Sequence, residues 1–93
     1  MATFIRPRAT VICAKVGDDA ILYDDQGGTY FGLNSVGSRT WELAGQGLSL
    51  DAIQAVIEKE FDVEPERLAN DLDKLATEMA ARGLWDVELS PLE

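Results

Sequence analysis

Ninety-three residues carry 17 Asp and Glu against 8 Lys and Arg, a net charge of −9. That is the length of one domain and the wrong sign for a protein that grips phosphate backbones, whose affinity comes from a basic footprint. Histidine is absent and the single cysteine is Cys13, which excludes a Ser-His-Asp or Cys-His arrangement, an internal disulfide and an ordinary structural zinc site.

Residues 1–9 are expected as a flexible N-terminus, 10–87 as one folded unit and 88–93 as a flexible tail. Thr10 to Val16 (TVICAKV) is rich in β-branched residues and reads as a strand. Gly17-Asp18-Asp19 is a turn, and Ala20 to Asp24 (AILYD) is a second strand. Asp25-Gln26-Gly27-Gly28 turns the chain again into a third strand, Thr29 to Leu33 (TYFGL). Connections this short imply an antiparallel meander.

From Asn34 the pattern becomes helical. Asn34 or Ser35 caps a first helix that runs to about Ala44 and stops at Gly45 and Gly47. Ser49 caps a second helix, whose apolar face is Ile53, Val56, Ile57 and Phe61. A third begins at Pro65, with Glu66 complementing its dipole. It places Leu68, Leu72, Leu75 and Met79 on one stripe, spaces Glu78 and Arg82 for an i,i+4 pair, and ends at Gly83. Leu84, Trp85 and Val87 form a short last strand or dock on the core. The fold class is therefore α+β: a three-stranded antiparallel sheet followed by three helices, similar to a winged helix-turn-helix.

Chemistry is scarce. Cys13, between Ile12 and Ala14 in a strand, reads as a packing residue. Asp18-Asp19 and Asp24-Asp25 match no calcium loop and read as turn residues. Gly27-Gly28 is no phosphate loop, because a strand follows it rather than a helix. No enzyme activity, metal or cofactor is expected. The absence of a ~20-residue apolar run and of a signal-peptide layout points to a cytoplasmic protein with no membrane partner. Binding is better supported. The strand Thr29-Tyr30-Phe31-Gly32-Leu33 is short and aromatic, and the meander leaves it at an edge. Its unpaired backbone groups can accept another strand. The alternatives are that Phe31 and Leu33 are core and Gly32 a bulge, or that the edge pairs with a second copy.

The run AILYDDQGGTYFGLNSVGSRTWELAGQGLSLDAI carries several features in a recognisable order. They are Leu22-Tyr23-Asp24 before a glycine turn, Tyr30-Phe31 followed by Leu33-Asn34, and Trp41 with Leu43 ahead of a glycine loop. The Ser49 cap, Asp71 before Leu72 and Leu75, and Gly83-Leu84 complete the set. Over about residues 8 to 87 this resembles the PqqD-like family, also called RiPP recognition elements. The resemblance implies a domain that binds the leader of a ribosomally made precursor peptide, the leader adding a strand beside the third strand. Thr29, Tyr30, Phe31, Gly32 and Leu33 would then lie along the peptide, with Arg67, Asp71, Lys74, Leu75 and Glu78 facing it from the third helix. Leu75 serves equally as core, and Asp71 as a cap.

The resemblance favours lasso-peptide biosynthesis, where the partner is a separate leader peptidase or modifying enzyme. A peptide chaperone for pyrroloquinoline-quinone synthesis is the alternative. A winged-helix DNA binder is a further one, with no nucleic acid expected because Glu66, Asp71, Asp73 and Glu78 outnumber Arg67, Lys74 and Arg82 on the third helix. The expected state is a monomer or weak homodimer.

Overall fold

The computed structural model describes residues 2–90. In chain order they form β1 (Ala2–Pro7), β2 (Val11–Val16), β3 (Asp19–Asp24), β4 (Thr29–Leu33), α1 (Ser35–Gly45), α2 (Leu50–Glu60), α3 (Pro65–Ala81) and β5 (Trp85–Ser90). The expected meander is β2-β3-β4, antiparallel throughout, so the strand read third from the sequence is β4. The two-residue connection from β2 to β3 works because Gly17 takes φ +64° while Asp18 keeps a negative φ. That is a type II′ turn, whose twist suits a hairpin.

The sheet is two-faced. Ala20, Leu22 and Leu33 point inward and are buried, whereas Ile12, Ile21 and Tyr30 point outward and are exposed. The inner residues join a core with Leu43 and Ala44 of α1, Ile53 and Ile57 of α2, and Leu68, Leu72 and Met79 of α3. Each such Leu or Ile contributes roughly 1.5–3 kcal/mol on burial. The helix ends follow the sequence signals. The Asn34 side chain accepts the Gly37 N–H at 2.9 Å, and Ser49 Oγ accepts that of Ala52 at 3.3 Å. Gly83 at φ +76° lets Leu84 N–H reach Met79 O and its own N–H reach Ala80 O. This double bond pattern closes the end of α3.

The chain ends depart from expectation. Residues 2–7, expected within a flexible N-terminus, form β1, which pairs with β5 from Ala2↔Ser90 to Pro7↔Trp85. Ile5 is fully buried, and β1 packs on α1 and α2. The expected flexible tail is corrected in the same way: residues 88–90 complete β5, while 91–93 lie outside the described residues. Trp85 anchors this ribbon. It stacks on Trp41 at 6.0 Å between ring centroids and donates its indole N–H to Ala76 O at 3.1 Å. Among the described residues no buried side-chain polar atom lacks a partner.

Candidate functional site

The backbone of β4 follows from the β2–β3 turn. A two-residue hairpin makes its flanking residues, Val16 and Asp19, exchange hydrogen bonds. Along β3 the bonding direction then alternates: Asp19, Ile21 and Tyr23 bond toward β2, and Ala20, Leu22 and Asp24 toward β4. Their partners on β4 are Leu33, Phe31 and Thr29. Tyr30 and Gly32 are therefore the residues whose N–H and C=O point away from β3. Tyr23 and Tyr30, opposite each other, have ring centroids 4.6 Å apart, as fits a closely spaced, non-bonded pair. Among the described strands nothing pairs with that side of β4.

Beside this edge runs a groove of about 650 Å³ between β4 and α3. Phe31 and Leu33 line it from the strand, Val36 from α1, and Leu68, Leu72 and Leu75 from α3. Val63 closes it from the α2–α3 connection. The polar rim is Asn34, Asp62, Glu64, Arg67 and Asp71. An apolar trough beside free backbone donors and acceptors suits an extended peptide: the backbone completes the sheet and alternate side chains drop into the trough.

Of the sequence-derived candidates, the structure brings Phe31, Gly32, Leu33, Arg67, Asp71 and Leu75 together around this groove. It does not bring Thr29, Tyr30, Lys74 or Glu78 into the lining. Thr29 sits at the strand's start, and Tyr30 contributes its backbone while its ring lies on the outer face, 68% exposed. Lys74 is exposed on α3, and Glu78 lies a turn beyond Lys74, accepting from Arg82 at 3.3 Å. Sequence reasoning missed Asn34, Val36, Gly37, Asp62, Val63 and Glu64, and read Leu68 and Leu72 only as part of the apolar stripe of α3. The α2–α3 connection reads only as a break in helical pattern; what signals its role is its position just before the helix that walls the trough.

Charges at the rim are solvated. Arg67 and Asp71 approach to 4.0 Å, with side chains 82% and 60% exposed, a pair that contributes little. Arg82 stands 5.2 Å over the Phe31 ring, within cation–π range, and so helps fix that part of the floor. Away from the groove, Arg39 binds Glu60 through two 2.8 Å bonds, joining α1 to α2. The Arg39 hydrogen bond holds the Glu60 carboxyl below its usual range. Burial pushes the Cys13 thiol up, against the pull of Lys15, the opposite of what an activated nucleophile needs. The aspartate turns assemble no group of three metal-ligating side chains among the described residues.

Comparison with known proteins gives the family and the fold. The family model described as Coenzyme PQQ synthesis protein D (PqqD) matches residues 19–84. The solved structure of TbiB1 in complex with the TbiA(beta) leader peptide is similar at 30% identity and a TM-score of 0.80, covering 92% of this chain and 99% of that one. A lasso peptide synthetase B1 complexed with the leader peptide is similar at 22% identity and a TM-score of 0.77, over 88% of this chain and 96% of that one. The latter likeness is one of fold. No protein of curated function matches the chain.

Proposed function

Because the chain belongs to the PqqD family, we propose that it is a non-catalytic domain that binds the leader of a ribosomally made precursor peptide by adding it as a strand to β4, and delivers it to a separate leader peptidase or modifying enzyme. The observation that carries this reading is the juxtaposition of an uncharged open edge, with free backbone groups at Tyr30 and Gly32, and an apolar groove walled by α3. Both parts are needed. Backbone pairing gives affinity for any extended chain, and the side-chain trough gives choice. The likeness to a leader-peptide complex, that of TbiB1, over 92% of this chain supports this, and the resemblance carried by the sequence motifs favours a lasso-type pathway. The family's own name, Coenzyme PQQ synthesis protein D, keeps pyrroloquinoline-quinone synthesis as the alternative. In either case the domain acts by raising the substrate's effective concentration at its partner.

The test is a fluorescence-polarisation titration against leader peptides encoded beside this chain's gene, with Gly32→Pro as the discriminating variant. Gly32 uses no ladder bond to β3, and a Cβ there meets nothing within 4 Å. Proline thus deletes one outward N–H and obstructs the incoming strand. Saturable binding that weakens by about tenfold or more in Gly32→Pro is the expected result, the loss of at least one net hydrogen bond. Unchanged affinity in a folded variant rules out strand addition at β4. Which leader binds assigns the pathway.

A further inference from the structure

The face of the β2-β3-β4 sheet turned away from the helices carries Ile12, Val16, Ile21 and Tyr30, exposed by 58%, 59%, 45% and 68%. These are four of the six large hydrophobic residues exposed among the described residues, and the register makes them neighbours. Ile12, Tyr23 and Tyr30 form one row across the sheet, and Ile21 lies in the next row between Ala14 and Gly32. The one cation of the β2-β3-β4 meander, Lys15, projects to the opposite side, where it donates to Ser38 Oγ at 2.9 Å. The ends of the face are acidic, with Asp18 and Asp19 at the β2–β3 turn and Asp25 at the β3–β4 turn.

We propose that this face is the docking surface for the enzyme that processes the bound peptide, met by a partner surface that is apolar at its centre and basic at its margin. The proposal rests on the peptide-binding reading above. A second copy of this chain fits poorly: stacking the face on itself sets acidic turns against acidic turns, in a chain of net charge −9. The face is also continuous with the β4 edge. A stable interface buries roughly 800 Å² per partner, more than four side chains supply. A strand added at β4 widens the same surface, since its outward side chains stand beside Tyr30. The enzyme therefore holds the loaded domain more firmly than the empty one.

The experiment uses the precursor and the processing enzyme encoded beside this chain's gene, with precursor conversion followed by mass spectrometry as the domain is titrated. The variants are Ile12→Lys/Val16→Lys, which repels a basic margin, and Ile12→Thr/Val16→Thr, which keeps β-branched residues in β2 and so protects the fold. Both positions lie on β2, across the sheet from the β4 edge. The expected result is leader affinity within about twofold of wild type, and a half-maximal domain concentration raised about tenfold or more by the lysine pair and less by the threonine pair. Wild-type processing by a lysine pair that still binds leader overturns the proposal. Reversible self-association of wild type, abolished by the lysine pair, overturns it in favour of a second copy. Absence of leader binding by wild type overturns the peptide-binding reading, and the proposal with it.

Discussion

Four strands, β1, β2, β4 and β5, sit at sheet edges among the described residues, and of these β4 and β5 are dressed differently on the open side. β5 (WDVELS) alternates apolar and acidic residues, with Asp86 and Glu88 tied to Arg8 and Arg6 at 2.8 and 3.1 Å across the ribbon. Charged side chains along an edge discourage another strand from joining it. β4 (TYFGL) carries no charge, and its Gly32 offers a backbone with no side chain in the way. It also has α3 standing across a trough from it. The comparison teaches that openness alone does not make a binding edge. The β5 edge is guarded by ion pairs, and the β4 edge is left bare beside a shaped cleft.

The largest effect that probes this contrast is on the guarded side. Trp85→Ala removes the stacked indole and its bond to Ala76 O. It should cost about 3–5 kcal/mol, as large-to-small core changes do, read by urea denaturation. A loss below about 1 kcal/mol would show that the ribbon is ornamental to the fold. Next in size, Asn34→Ala deletes the cap where β4 passes into α1. About 1 kcal/mol of stability should be lost, with leader affinity falling as well because Asn34 lines the groove. A smaller effect belongs to the paired change Asp86→Asn/Glu88→Gln, which strips the charge from β5. Folding should be little altered, while sedimentation should reveal new self-association. If the variant stays monomeric, charge is not what guards that edge.

The smallest effect concerns α1, which receives the end of β4. The folded state holds Glu60 below the ordinary carboxylate range through its bond from Arg39. That contribution is present above the unfolded carboxylate pKa and is lost as pH falls through the folded one. Glu60→Gln should therefore melt below wild type near neutral pH, and the two melting curves should converge as acid protonates Glu60. Parallel curves at every pH would remove the Arg39–Glu60 pair from the account.

The sequence made the meander legible because its turns are local: Gly17-Asp18 and the Asp25-to-Gly28 stretch separate runs of strand formers. Caps at Asn34 and Ser49 and the stop at Gly83 marked the helices for the same reason. β1 was not legible. ATFIRP ends in proline and becomes a strand only by pairing with residues near the far end of the chain, Ile5 meeting Val87. No short window contains that partner. The site divides along the same line. Phe31, Gly32 and Leu33 followed from a short aromatic edge strand, whereas Arg67, Asp71 and Leu75 came only from the family resemblance; the structure shows them sharing a helix face at four-residue spacing. Lys74 lies one helical position nearer to solvent than Leu75 and falls outside the groove. Asp62, Val63 and Glu64 belong to it only because two helices meet there.

The β1–β5 pairing sets Ala2 directly opposite Ser90, so the two ends of the described chain stand about 5 Å apart, as antiparallel neighbours do. A unit that enters and leaves at one point can be spliced into a loop of a larger polypeptide, or closed head to tail by a short linker, without disturbing the rest of its path.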